Sequence, residues 1–277
     1  MRVMNRCAVL GSPIAHSLSP AMHRAAYAAL DLDWRYDAYQ VEEHELRGFV
    51  ASLGDDVRGL SLTMPLKRVA LELADRVDPV AELIGAANTM LFEPDGSRSA
   101  HNTDVPGLVN AFGEHGITAA DTAVVLGGGA TAASTLAALR GLKVSEVTVV
   151  VRDTSKAERL LDLAAELGLR TSIADFSRVE QIGGFDLCVS TLPGGAVDPW
   201  AEHFAGVAPV VLDAAYHPWP TQLAIAARRI GTELLSGLDL LVHQATLQVG
   251  MMTGRSPAPL AAMRAAAHEE LGSRESA

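Results

Sequence analysis

Val124-Val125-Leu126-Gly127-Gly128-Gly129-Ala130-Thr131-Ala132 is the stretch from which the rest of the chain can be read. An apolar run stops at three glycines and an alanine-rich segment follows, which predicts a strand, a tight turn and the start of a helix. Gly127, Gly129 and Ala132 have the spacing of the G-x-G-x-x-G/A pattern. In that pattern the first glycine permits the turn, the second lets backbone approach a pyrophosphate, and the small third residue lets the helix pack on the strand. The N–H groups at the helix start would receive the phosphates. Glycine turns of this kind also occur where nothing binds, so the reading needs support from the flanking sequence.

Downstream, residues 146–151 predict the next strand, which ends at Arg152. At that place in a dinucleotide-binding sheet an acid selects the ribose 2′-hydroxyl of NAD, whereas arginine accommodates the 2′-phosphate of NADP. Arg152 and Lys156 therefore point to NADP, with Asp153 between them as the opposing charge. Helix over 156–167 and strands at 170–174, 186–191, 209–213 and 233–235 continue the alternation, with a helix at 221–230. This predicts a parallel, doubly wound sheet whose strand ends, including Ser190, Thr191 and Asp213, line a ligand crevice. Residues 213–220 read as a stiff aromatic loop. A long apolar helix over 238–252 carries His243, Gln244 and Gln248, and a closing helix follows over 257–271.

Upstream, residues 7–10 predict a strand that breaks at Gly11-Ser12-Pro13, before Ser17-Leu18-Ser19-Pro20. Ser19 suits a helix N-cap and Pro20 the first helical position, and Met22, Ala25, Ala26, Ala29 and Leu30 recur as one buried helix face. Ser17 and Ser19 also aim two hydroxyls at any anion drawn to that helix end; a substrate carboxylate fits. A strand at 35–41, a helix at 43–53 and a strand at 57–63 predict a small α/β layer, with Leu60 and Leu62 inward and Ser61 and Thr63 outward. Lys67 follows at the head of the next helix, the end that cations ordinarily avoid; it reads either as a solvated surface lysine or, because crowding by helix-end N–H groups eases loss of its proton, as a group for acid–base work. After Asn88-Thr89 a hairpin turns through Asp95-Gly96-Ser97 and returns into His101-Asn102-Thr103-Asp104. Asp104 reads either as the cap of the helix over 105–114 or as a carboxylate partner for Lys67.

With 277 residues, 49% of them hydrophobic, the chain can build two ordinary domains. Its net charge of -11 argues against general nucleic-acid binding. Cys7 and Cys188 lie far apart in strand-like contexts and read as buried apolar residues rather than a disulfide or metal pair, and no metal-ligand spacing appears. No signal segment or apolar run long enough for a membrane span is present, so a soluble cytoplasmic protein is expected.

Taken together, the motifs resemble the shikimate dehydrogenase family over nearly the whole chain. The resemblance is carried by Ser17-Leu18-Ser19-Pro20, Ser61-Leu62-Thr63-Met64-Pro65-Leu66-Lys67, Ala87-Asn88-Thr89, Asn102-Thr103-Asp104, the Gly127 turn, and Gly237 followed by Gln244. It implies NADPH-dependent reduction of 3-dehydroshikimate to shikimate, a step of aromatic amino-acid biosynthesis, by two α/β domains flanking a cleft that closes on its ligands. By the same resemblance Lys67 and Asp104 are the catalytic pair, and Ser17 and Ser19 hold the substrate carboxylate. Ser61, Thr63, Asn88, Tyr216 and Gln244 complete the substrate contacts. Gly127, Gly128, Gly129, Ala130, Thr131, Arg152 and Lys156 would hold the dinucleotide, with Leu192 and Gly237 near the nicotinamide. The chain departs from the family's pattern at three places. Ser61 stands for a common asparagine, which leaves room for a water or another ring substituent. His101 replaces an acid, and Val151-Arg152-Asp153 replaces Asn-Arg-Thr.

The expected organisation is a substrate domain over 1–104, completed by helices over 240–277, and a Rossmann-like NADP domain over 105–239. The small-molecule substrate is the expected partner, with no nucleic acid or membrane, in a monomer or homodimer. Quinate or aminoshikimate dehydrogenases, possible NAD users, differ by one ring substituent. A ligand-sensing homologue would have no need of Lys67 and Asp104, and a folate-linked dehydrogenase leaves the paired serines unexplained.

Overall fold

Among the described residues, twelve short strands pair into two six-stranded sheets, each belonging to one of two units into which the chain divides. A computed structural model describes residues 4–275, apart from the side chains of Lys156 and Glu275. The first unit runs to Thr103 and resumes at Val242, and the second is Asp104–Leu241. In chain order the first holds β1 (Arg6–Gly11), α1 (Ser19–Ala29), β2 (Arg35–Gln40), α2 (Leu46–Ala51), β3 (Val57–Leu62), α3 (Val69–Leu73), β4 (Arg76–Val77), α4 (Pro79–Ile84), β5 (Thr89–Phe92) and β6 (Arg98–His101). The second holds α5 (Asp104–Glu114), β7 (Thr122–Leu126), α6 (Ala130–Gly141), β8 (Glu146–Val151), α7 (Glu158–Glu166), β9 (Arg170–Asp175), β10 (Leu187–Ser190), α8 (Ala201–Gly206), β11 (Val210–Asp213), α9 (Gln222–Ile230) and β12 (Glu233–Ser236). Helix α10 (Gly237–Thr253) then carries the chain back to the first unit, which ends in α11 (Leu260–Glu275).

In the second unit every strand pairing is parallel, in the order β12-β11-β10-β7-β8-β9. That is the doubly wound order, with its reversal between β7 and β10. The strands are short Val/Leu runs because helices cover both faces of such a sheet: Val124, Val125, Leu126, Val149, Val150, Val189 and Leu212 are all fully buried. Helix α6 is alanine-rich for a related reason. It is buried on most of its circumference, from Ala132 to Leu139, and small side chains allow that close approach.

The first unit's sheet is mixed, in the order β2-β1-β3-β5-β6-β4, with β1 parallel to β2 and β3 and the β5–β6 hairpin antiparallel. One face buries Leu10, Leu46, Leu60, Leu62, Leu66 and Met90 in a common core. The other buries Cys7, Val9, Tyr27, Tyr36 and Met252, so residues from α1 and α10 close the second side. This corrects the outward reading of Ser61. Alternation in β3 separates two faces, but both are covered, and Ser61 is only 4% exposed. The cap expected at Ser19 is also corrected. Leu18 occupies the N-cap of α1 with no side-chain bond, and the Ser17 hydroxyl instead accepts from the Ser19 amide at 3.3 Å. Cys7 and Cys188 are both buried free thiols, as read from the sequence, and burial pushes the Cys7 thiol up to about 11. Among the described residues no helix is long and apolar enough to cross a membrane.

His23 on α1 is wholly buried, stacked on Tyr36 with ring centroids 4.0 Å apart. Neither ring nitrogen has a hydrogen-bond partner. Burial lowers its pKa to about 3, and the Gln248 amide opposes that shift without reaching hydrogen-bond geometry. The unfolded chain therefore binds one more proton than the folded chain between pH 6.5 and about 3, and stability falls as pH drops through that window. From pH 6.5 to about 5, urea unfolding should lose about 2 kcal/mol more in the wild type than in His23→Phe, at ~1.4 kcal/mol per pH unit. Parallel profiles would contradict the buried neutral imidazole.

Candidate active site

The glycine turn leaves β7 beside the loop that leaves β10. Gly127 has φ +115°, and a Cβ there would lie 2.4 Å from Thr191 Oγ1, whose hydroxyl is anchored on the Leu126 carbonyl at 2.9 Å. Only glycine satisfies both the backbone angle and this contact. Leu192 packs against the core of this unit with its Cδ2 3.3 Å from the same Cβ position. Gly129 is the N-cap of α6, has no side chain to answer the helix's first N–H groups, and has nothing within 4 Å of a built Cβ. Gly128, Ala130 and Thr131 complete an open cradle at the positive end of a twelve-residue helix, which suits a pyrophosphate. Arg152 is exposed immediately after β8. Asp153, the opposing charge in the sequence, turns one carboxylate oxygen onto the Ser155 amide at 3.1 Å and the Ser155 hydroxyl at 2.6 Å, capping the short helix Thr154–Lys156. The side chain of Lys156 lies outside the described residues.

Farther along this unit, Asp213 at the end of β11 ties down the loop that carries Tyr216. It accepts from the Thr221 hydroxyl at 2.6 Å and the Ala215 amide at 3.3 Å, and burial raises the pKa of its carboxyl. Gly237, the first residue of α10, lies directly on that loop: a Cβ would stand 2.1 Å from the Ala214 carbonyl oxygen.

In the first unit the predicted residues gather at one end of the sheet for a topological reason. Parallel β1 and β3 both end there and release Ser17, Ser19, Thr63 and Lys67; antiparallel β5 starts there after Asn88, and β6 ends there before Asn102 and Thr103. Thr63 donates its amide to the Leu10 carbonyl at 2.9 Å and lies against Gly11, where a Cβ would be 2.3 Å from the Thr63 methyl. Lys67 sits half-buried in the turn before α3, and its carbonyl accepts from the Ala87 amide at 2.7 Å. Asp104 opens α5, is buried, and follows Thr103 directly. His101 has its Nε2 2.9 Å from the Ser99 hydroxyl and its Nδ1 3.6 Å from Asp78, whose same oxygen accepts the Asn102 amide at 2.9 Å.

Beneath these groups runs a buried polar network. Tyr36 donates to the Ser61 hydroxyl at 2.6 Å, and Ser61 donates to Gln248 Oε1 at 2.8 Å. Gln248 Nε2 donates to the Asn88 carbonyl at 3.0 Å and to the Thr89 hydroxyl at 2.9 Å. Asn88 Oδ1 accepts from the Thr89 hydroxyl at 2.9 Å and the Thr103 amide at 2.8 Å, while its Nδ2 donates to Gln244 Oε1 at 3.2 Å. The hydroxyl of the shortened Ser61 is thus engaged by Tyr36 and Gln248. Sequence reading missed Tyr36, Thr89 and Gln248 as parts of the site. The spacing of Gln244 and Gln248 was the available signal, because residues four apart share one helix face.

Two family models match the chain: "Shikimate dehydrogenase substrate binding domain" over residues 9–90 and "Shikimate 5′-dehydrogenase C-terminal domain" over 237–268. An NADP(+) shikimate dehydrogenase of Thermus thermophilus is 37% identical over 273 residues, 97% of this chain and all of that protein. A crystal structure of Mycobacterium tuberculosis shikimate dehydrogenase aligns with TM-score 0.88 at 42% identity, covering 96% of this chain and 99% of that one. A Thermus thermophilus shikimate 5-dehydrogenase, solved in complex with NADP(H) and shikimate, aligns with TM-score 0.84 at 35% identity, covering 96% and 99%.

Proposed function

The chain belongs to the shikimate dehydrogenase family, and from that premise we propose that it catalyses the reversible, NADP-dependent reduction of 3-dehydroshikimate to shikimate. What carries the reading is that Ser17, Thr63, Lys67 and Asn88 leave one end of a single sheet, with Gln244 hydrogen-bonded to Asn88. A carboxylate suits Ser17 and Ser19 beside the start of α1, and the amides of Asn88 and Gln244 with the Thr63 hydroxyl suit ring hydroxyls. NADPH supplies the hydride when bound. The alkoxide that develops on the ketone oxygen needs a positive donor, and the Lys67 ammonium both stabilises that charge and gives it the proton. Asp104 is proposed to orient that ammonium, and Tyr216 to add a further substrate contact. Gly127 to Thr131 fit the pyrophosphate, Leu192 and Gly237 the nicotinamide, and Arg152 with Lys156 the 2′-phosphate.

Steady-state rates with shikimate, quinate and an aminated analogue, each against NADP and NAD, test this. Shikimate with NADP should give the highest kcat/KM, and activity confined to quinate with NAD would overturn it. Arg152→Ala should raise the KM for NADP about tenfold or more while barely changing that for NAD, because a charged phosphate contact is lost. Equal effects on both cofactors would remove Arg152 from the 2′-phosphate site.

A further inference from the structure

Each donor in the buried network leaves a single consistent orientation for the amide that follows. Tyr36 gives its proton to Ser61, so Ser61 gives its own to Gln248 Oε1. That fixes Gln248 Nε2 toward the Asn88 carbonyl and the Thr89 hydroxyl, and Thr89 in turn donates to Asn88 Oδ1. With Thr89 and the Thr103 amide both donating to Oδ1, the Asn88 amide turns its nitrogen toward the Thr103 hydroxyl at 2.9 Å and Gln244 Oε1 at 3.2 Å. Backbone groups point the same way: the Thr103 amide can only donate to Asn88 Oδ1 and the Asn88 carbonyl can only accept from Gln248 Nε2, so backbone and hydroxyls together fix the polarity of both amides.

We propose that Gln248 is a positioning residue. Through Thr89, and alongside the Thr103 amide, it holds the Asn88 amide, and through that the Gln244 amide, with its donor and acceptor ends set toward the ring hydroxyls of the substrate. This rests on the shikimate reading of the site. All five residues of the relay from Ser61 to Gln244 lie in the first unit and are nearly or wholly buried, so the orientation exists before a substrate arrives. It also assigns a different role to Ser61, which serves the relay from within the sheet instead of touching the ring.

A double-substitution cycle tests the relay. Gln248→Met keeps an unbranched side chain of similar length without hydrogen bonds, and Thr89→Val replaces a hydroxyl by a methyl group of nearly the same shape. Each should raise the KM for shikimate about tenfold, as expected for one lost hydrogen-bonded orientation. kcat should stay within about threefold and the KM for NADP should not move, because uniform substrate binding has been weakened. The double variant should be about as impaired as either single, since both interrupt one chain. Multiplying effects in the double, parallel losses in kcat and NADP affinity, or an unchanged shikimate KM in folded Thr89→Val would overturn the proposal. Inert wild type with shikimate and NADP would sink the proposed function and this inference together; active wild type with unaltered variants would sink this inference alone.

Discussion

Replacing Lys67 by alanine is expected to lower kcat at least about a hundredfold while shikimate binding stays within a few-fold. The lysine stem leaves a turn held on both sides. Leu66 is fully buried and its amide donates to the Thr63 carbonyl at 2.8 Å, and the Lys67 carbonyl takes the Ala87 amide at 2.7 Å. Truncation at Cβ leaves these backbone bonds intact, so the loss falls on chemistry rather than on folding. Ser17, Ser19, Thr63, Asn88 and Gln244 keep their places, which preserves binding. Added small primary amines should restore part of the rate if the missing group is the proton donor. Undiminished turnover in Lys67→Ala, measured by NADPH formation, would remove the lysine from the reaction.

Gly237→Ala should be the most damaging single methyl group in the second unit. Its Cβ would meet the Ala214 carbonyl oxygen at 2.1 Å, the Ala214 carbonyl carbon at 2.5 Å and the Ala215 oxygen at 2.8 Å. All three are backbone atoms, so no rotamer relieves the clash. The loop they belong to is tied at both ends by Asp213, and the start of α10 is held by Ser236, whose amide and hydroxyl both donate to Asp239 at 2.9 Å. Two anchored segments would have to separate. The expected cost is about 2–4 kcal/mol of stability, the scale of overpacking combined with backbone displacement. Where the protein still folds, the KM for NADP should rise about tenfold or more. Shikimate binding measured directly should change little, because its proposed contacts apart from Tyr216 and Asp104 belong to the first unit. Wild-type melting and wild-type NADP affinity in this variant would contradict the described geometry.

Much of this was legible in the chain because the signals are local. Gly127, Gly129 and Ala132 announce a strand, a turn and a helix, and the Val/Leu runs around them announce strands covered on both sides. That Arg152 directly follows β8 is a matter of counting along one of those runs. What was not legible depended on partners distant in sequence. Ser61 alternates correctly with Leu60 and Leu62, yet alternation cannot reveal that α1 and α10 cover the second face, and its bonds go to residues 25 positions before and 187 after it. Tyr36 sits among mostly exposed, polar residues of β2, so its full burial follows from the helix above it and not from its neighbours. Ser19 does not cap α1 because Leu18, with no side-chain bond, holds the N-cap position.

The central claim is hydride transfer between shikimate and NADP with a proton handled by Lys67. It is tested most directly by incubating the protein with NADP and shikimate deuterated at the carbon whose hydroxyl is oxidised. The account predicts steady formation of NADPH carrying that deuterium at the nicotinamide, and its near-abolition in Lys67→Ala. Absence of reduced cofactor, or reduced cofactor without the label, would contradict it.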